Sequence, residues 1–166
     1  MAGKHNVEID VENYGTISLE LDADVAPITV TNFIKLANEG FYDGLTFHRI
    51  ISGFMIQGGD PEGTGNGGSS EKIKGEFSAN GYKNDISHVR GVISMARATS
   101  YNSASSQFFI VHKDSTFLDG KYAAFGHVTS GMEVVDKIAE DTKVEDDNGT
   151  VKKENQPKIS KIKVID

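Results

Sequence analysis

Residues 47–60, FHRIISGFMIQGGD, are the most informative stretch of this sequence. Two apolar-rich runs, 46–50 and 54–57, predict a pair of strands joined by Ile51-Ser52-Gly53. Two interpretations of this hairpin are open. Either it forms a binding surface, or Phe54 and Met55 belong to the core and Arg49 is a solvated strand residue. The second is favoured, because apolar residues are most often simply buried. As a binding surface, the hairpin would bring an apolar floor, one cation and one amide to one face, from Arg49, Phe54, Met55 and Gln57.

Alternating apolar and polar residues predict further strands on both sides of this hairpin. The pattern at 7–11 and 17–21 predicts an N-terminal hairpin that turns at Asn13-Tyr14-Gly15. Four later runs are also strand-like: 92–96, 107–111, 123–128 and 159–164. The glycine-rich, polar stretch 58–80 predicts a long ordered loop with little regular structure.

Apolar residues at helical spacing predict two helices, at 28–39 and 132–139. The first has Pro27 at its start and Gly40 just past its end. Asp22 and Asp24 precede it, and we expect them to act in its capping region. Many short strands with only two helices do not give βαβ alternation. We therefore expect a mainly β fold in one domain, residues 1–166: a closed antiparallel eight-stranded β-barrel capped by two α-helices.

Composition excludes several classes of function. The net charge of −7 gives no general attraction for nucleic acid. The chain has no cysteine, which excludes disulfides, thiolate metal sites and cysteine nucleophiles. The five histidines share no short ligand spacing, so no metal is expected, and His48 is expected to be a buried structural histidine. The glycine-rich run 63–70 lacks the GK[ST] ending of a phosphate loop, and no cofactor is expected.

The sequence also bears on location and assembly. No apolar run has the length of a membrane span, and the N-terminal residues show no secretory signal. A cytoplasmic protein that does not act on membranes is therefore expected. No heptad pattern or apolar stripe suggests self-association, so we expect a monomer.

The stretch 47–60 resembles the signature segment of the cyclophilins. Three later segments resemble that family's other active-site segments, in the same order and at similar spacing: 94–96 (SMA), 106–110 (SQFFI) and 117–126 (FLDGKYAAFG). The similarity runs from about residue 5 to the C-terminus, and four ordered segments are far more specific than one motif. The resemblance implies a peptidyl-prolyl cis–trans isomerase that needs no cofactor, binds proline-containing peptides and unfolded proteins, and assists folding.

Carried over residue by residue, the resemblance makes Arg49 the catalytic arginine, with Phe54 and Gln57 beside it. Gln107 would help Gln57 to hydrogen-bond the peptide, and Gly65 would belong to a loop flanking the groove. The proline ring would lie in a pocket formed by Phe54, Met55, Phe109 and Leu118. The peptide backbone would run along a ledge formed by Ala96, Arg97 and Ala98.

Three residues of the groove depart from the best-known cyclophilins. Phe117 stands where those members have a tryptophan that supports tight cyclosporin A binding, so binding of the drug is expected to be weakened. Tyr122 stands where they have histidine, and a tyrosine hydroxyl still donates a hydrogen bond. Arg97 stands where they have asparagine, which adds a cation to the ledge and could shift sequence preference.

Two other classes of function compete with the enzyme. A peptide-binding scaffold could use the same groove, with isomerisation incidental. A holdase chaperone would need a sizeable exposed apolar patch, which the sequence does not show clearly. Arg49 and Gln57 favour the enzyme, because binding alone needs no donor at the prolyl nitrogen.

Overall fold

Eight antiparallel strands form one continuous sheet in the computed structural model, which describes residues 1–166. The order across the sheet is β3-β4-β6-β5-β7-β2-β1-β8. The strands are β1 (Lys4–Val11), β2 (Gly15–Asp22), β3 (Phe47–Ile51), β4 (Met55–Gly58), β5 (Val92–Met95), β6 (Phe108–Val111), β7 (Ala124–Ser130) and β8 (Ile159–Val164).

The sheet curls until its two edge strands, β3 and β8, approach each other. The residues just before the two strands, Thr46 and Lys158, form a single isolated bridge. Beside it, the Ile159 N–H donates to the Leu45 carbonyl at 2.7 Å. The predicted mainly β fold of eight antiparallel strands is confirmed, but one short seam replaces the full ladder that a closed barrel would have.

Two α-helices, α1 (Pro27–Asn38) and α2 (Met132–Asp141), pack against the sheet as predicted. The cap of α1 differs from the expectation. Asp22 accepts the N–H groups of Asp24 and Val25 in the preceding turn, and neither aspartate reaches the helix. The N–H of Thr29 instead donates to Glu76, at 2.7 Å. Glu76 lies in the long loop, far along the chain, so no local pattern could indicate it.

The strands β4, β5 and β6 separate two apolar clusters, which explains why they are buried on both faces. The interior cluster contains 32 buried residues from strands and both helices. The outer cluster contains six: Met55, Val92, Phe109, Val111, Leu118 and Ala124.

Neither α-helix combines the length and the apolar character that spanning a lipid bilayer requires.

The long loop after β4 is ordered by a buried carboxylate. Asp60 is 1% exposed, and its oxygens accept the N–H groups of Glu62, Thr64 and Gly65 at 2.6–3.0 Å. Burial alone would raise the pKa of Asp60, but these donors outweigh it and hold the pKa below its ordinary value. The charged carboxylate thereby fixes the start of the long loop.

Candidate active site

The pairing register of the sheet places three predicted site residues side by side. Arg49 of β3 lies opposite Gln57 of β4, and Gln57 lies opposite Phe109 of β6. Directly opposed residues of neighbouring strands point to the same face, so the three side chains form one row. Ser94 of β5 follows opposite Phe109. The row lies on the outer face, because Ile56, the neighbour of Gln57, belongs to the interior core.

A β-bulge at His48 turns Arg49 outward. The ladder pairs Phe47 with Gly58 and Arg49 with Gln57, so His48 is an extra residue on β3. Phe47 is completely buried in the interior core. In a regular strand Phe47 and Arg49, which are two residues apart, would share a face, since strand side chains alternate. The bulge therefore aims Arg49 at the outer groove.

His48 itself is buried, at 5% exposure, as the sequence suggested. Neither of its ring nitrogens has a hydrogen-bond partner, so it does not orient neighbours through hydrogen bonds. Burial lowers the pKa of His48 below its ordinary value, against a raising effect of Asp60 and with a lowering effect of Arg49. The histidine is therefore held neutral beside the arginine.

An apolar pocket of about 120 Å³ opens on the outer face, beside the row. Its floor is dry, because Met55, Phe109 and Leu118 are at most 9% exposed. Tyr122 forms one wall, with its ring perpendicular to that of Phe109 at 5.8 Å between centroids. The full lining is Arg49, Phe54, Met55, Gln57, Ala96, Arg97, Phe109, Leu118 and Tyr122.

Hydrogen bonds join the polar residues of the groove into one line. Arg49 Nη1 donates to Gln57 Oε1 at 3.3 Å, and Gln57 Nε2 donates to Gln107 Oε1 at 2.9 Å. Gln107 Nε2 in turn donates to the carbonyls of Gly65 and Gly67, at 3.0 and 2.8 Å. The line fixes the orientation of both amides and ties the loop around Gly65 to the strands.

The other predicted residues border the same groove. A second, polar cavity of about 240 Å³ adjoins the apolar pocket, and Ala98 and Gly65 line it together with Gln57 and Ala96. At the opposite rim Phe117 is 65% exposed, with its ring 5.6 Å from that of Phe54. The structure thus brings all the predicted site residues together, and their roles in catalysis stay predictions.

Asn148 is a site residue that the sequence did not reveal. Its carbonyl accepts Arg49 Nε at 2.9 Å, and its Oδ1 accepts Arg49 Nη2 at 3.1 Å. The sequence of residues 146–149, DDNG, is typical only of a turn. Gly149 has φ +81°, and a Cβ there would collide with the Ile50 carbonyl, so the tight turn brings Asn148 against β3. Nothing local in the sequence signals a contact across 99 residues.

A buried polar chain lies beneath the pocket. His88 is completely buried and contacts Asp119 Oδ1 at 3.0 Å and Ser94 Oγ at 2.9 Å. Its ring stacks on Phe109, with 6.0 Å between centroids. Burial lowers the pKa of His88 more than Asp119 raises it, so the neutral ring donates from Nδ1 to the carboxylate. The chain supports the pocket floor and does not reach solvent through Ser94, which is 0% exposed.

The chain matches a protein-family model described as cyclophilin type peptidyl-prolyl cis-trans isomerase/CLD, over residues 6–164. It is 47% identical over 144 residues to peptidyl-prolyl cis-trans isomerase B of Bacillus subtilis, covering 87% of this chain and 92% of that protein. It is 50% identical over 128 residues to a peptidyl-prolyl cis-trans isomerase of Helicobacter pylori, covering 76% of each.

Solved structures agree with these relatives. A cyclophilin type peptidyl-prolyl cis-trans isomerase of Cryptosporidium parvum superposes with a TM-score of 0.86 at 30% identity, covering 99% of both chains. The same protein in the presence of the dipeptide Ala-Pro gives a TM-score of 0.85 at 31% identity, covering 97% of this chain and 99% of that one. The chain therefore belongs to the cyclophilin-type peptidyl-prolyl cis–trans isomerases, enzymes that rotate the peptide bond before proline.

Proposed function

We propose that the groove binds proline-containing peptides and unfolded protein segments, with the proline ring in the apolar pocket and Arg49 as the catalytic group. One observation carries this assignment: a fixed guanidinium stands at the rim of a dry apolar pocket. The related Cryptosporidium structure that was determined in the presence of Ala-Pro supports it.

The chemistry of the reaction explains why these residue types suit it. Resonance gives the C–N bond partial double-bond character and a rotational barrier of about 18–20 kcal/mol. At the top of the barrier resonance is lost, the prolyl nitrogen regains its lone pair, and the carbonyl oxygen loses negative charge. A donor aimed at that nitrogen stabilises the twisted amide, and a dry site disfavours the more polar planar one. This is differential binding of the transition state without a covalent step.

Magnitudes set the share that Arg49 can supply. An acceleration of about a million-fold requires about 8 kcal/mol. One hydrogen bond from a charged donor supplies about 1.5–3 kcal/mol of it. The rest of the barrier reduction must come from desolvation by the pocket floor and from binding the substrate in a twisted conformation. The guanidinium of Arg49 can supply this hydrogen bond because Asn148 and Gln57 hold it in place from two sides.

The direct test measures cis-to-trans exchange in a short Ala-Pro peptide by NMR exchange spectroscopy. Wild-type protein should accelerate exchange, and Arg49→Ala should lower kcat/KM by about 10- to 100-fold with the fold intact. Arg90→Ala is the matched control, since Arg90 pairs with Asp136 away from the groove and its loss should leave the rate unchanged. An unchanged rate in folded Arg49→Ala would remove Arg49 from the mechanism. A folded wild type that binds the peptide without turnover would favour a binding scaffold.

We also propose that cyclosporin A binds weakly, because Phe117 replaces the tryptophan of the best-known cyclophilins. The Phe117 ring stands exposed at the rim and offers less contact area and no N–H donor. Phe117→Trp should therefore tighten binding by about three- to tenfold in calorimetric titration. Equal affinities of the two proteins would contradict this account of the drug's site.

The remaining expectations stay predictions with their own tests. A monomer predicts a single species of one chain's mass in analytical ultracentrifugation. A cytoplasmic location predicts recovery of the protein in the cytoplasmic fraction of its cells. A role in folding predicts faster refolding of a client protein whose slow phase is proline isomerisation.

A further inference from the structure

Arg97 lies at the junction of the apolar pocket and the neighbouring polar cavity, but its guanidinium is turned toward the protein. Nε and Nη2 both donate to the Lys121 carbonyl, at 3.0 and 2.8 Å. Nη1 donates to the carbonyls of Ala98 and Thr99, at 3.0 and 3.3 Å. An arginine has five N–H donors, and these four bonds leave little for a ligand.

Three aromatic rings surround the same guanidinium. Its Cζ lies 4.7 Å from the ring centroid of Tyr122, 5.0 Å from that of Tyr101 and 5.2 Å from that of Phe77. These distances are within the range of cation–π attraction. Tyr122 is the wall of the proline pocket and is perpendicular to Phe109 on its floor. Arg97 thus contacts the pocket wall on one side and the ledge on the other.

We propose that Arg97 is a positioning residue that clamps the ledge at Ala98–Thr99 to the segment Lys121–Tyr122, and so holds the pocket wall. This inference rests on the proposed binding of proline peptides in the groove. It differs from the expectation from sequence, in which the cation of Arg97 shifts sequence preference. A clamp acts on all proline peptides alike, whereas a free cation acts on those with acidic neighbours.

Arginine and lysine differ in the property that the clamp needs. The planar fork can donate to several carbonyls at once and stack on aromatic faces, whereas an ammonium is a compact point charge. Arg97→Lys therefore keeps the charge and loses the clamp, and Arg97→Ala loses both. Lys121→Ala is the matched control for charge, since it removes a neighbouring exposed cation and leaves the backbone carbonyl that Arg97 uses.

The experiment measures kcat and KM for three peptides with Ala, Glu or Lys beside the Ala-Pro unit. A clamp predicts that Arg97→Lys and Arg97→Ala each raise KM about five- to tenfold for all three peptides, with kcat within about twofold, because substrate and transition state lose the same wall. Lys121→Ala should keep the wild-type values. Turnover by the wild type tests the proposed function separately, so failure of the clamp leaves that function intact.

Two kinetic results would overturn the clamp. In the first, Arg97→Lys keeps the wild-type KM, and Arg97→Ala raises KM for the Glu peptide alone. This result would assign the role of Arg97 to its charge. In the second, both folded variants keep the wild-type KM for all three peptides. A measurement on the wild type covers the case in which a variant does not fold: the Nε–H resonance of Arg97 should show a rigid order parameter and slow exchange with water. A mobile, fast-exchanging resonance would also overturn the proposal.

Discussion

Asn148 holds Arg49 from the side opposite Gln57, and its loss should impair the reaction without removing any group that touches the proline ring. Asn148→Ala keeps the backbone acceptor for Nε and loses the Oδ1 acceptor for Nη2. Because the lost bond involves a charged donor at a partly exposed site, we expect kcat/KM to fall about three- to tenfold. Peptide exchange rates measured side by side with wild type check this.

The control for Asn148→Ala is Asn155→Ala, in an exposed turn of the same segment, which should keep the wild-type rate. If Asn148→Ala also keeps it, Gln57 alone is sufficient to orient Arg49.

The sequence predicted the residues of the groove through their resemblance to a family, but not the contacts that orient them. Without the resemblance, the pattern of the residues favours Arg49 as a solvated strand residue with no role in a site. The bulge at His48, which turns Arg49 outward, depends on how β3 pairs with β4. The pattern of residues within one strand cannot predict it. The contact with Asn148 and the contact of Arg97 with Lys121 join residues distant in sequence, and only the tertiary fold brings them together.

At the scale of elements, helix α1 depends on a carboxylate that belongs to another part of the chain. Glu76 is completely buried, and it accepts the N–H groups of Ile28 and Thr29 and the hydroxyl of Thr29. Glu76→Ala leaves these donors without a partner inside the protein, so we expect the free energy of unfolding to fall by about 2 kcal/mol. Urea unfolding followed by circular dichroism measures the change.

A matched variant separates this cap from a general effect of charge. Glu71→Ala removes an exposed carboxylate of the same loop that pairs with Lys35 at 3.8 Å, and the free energy should change by less than about 0.5 kcal/mol. Equal unfolding curves for Glu76→Ala and the wild type would show that water replaces the carboxylate at the helix end.

Strands and helices were predictable to within a few residues because their patterns are local. The first hairpin alternates apolar and polar side chains over β1 and β2, as one buried face requires. Helix α2 was predicted at 132–139 and extends to Asp141. The cap of α1 was assigned wrongly to Asp22 and Asp24, because sequence proximity indicated the nearest carboxylates and tertiary structure supplied a distant one.

The whole molecule carries two buried neutral histidines, and this shapes its stability in acid. Burial lowers the pKa of both His48 and His88 below the ordinary 6.5. Below that value the unfolded chain binds protons that the folded chain resists, so the free energy of unfolding falls as the pH drops from about 6.5 toward the lower folded values. His5 acts in the opposite sense, because Asp166 raises its pKa, but it lies near the surface and solvent screening reduces its effect.

Replacing His48 by leucine should reduce this acid sensitivity, since one of the two buried histidines no longer titrates. The measurement is urea unfolding at pH 7, 6 and 5, above the range in which the carboxylates gain protons. His48 has no hydrogen bond to lose, so the variant should also be about as stable as wild type at pH 7, or more so. Asn155→Ala, at an exposed position that carries no titratable group, is the control and should keep the wild-type slope. A wild-type slope in His48→Leu would instead mean that His48 takes up its proton in the folded state as readily as in the unfolded chain.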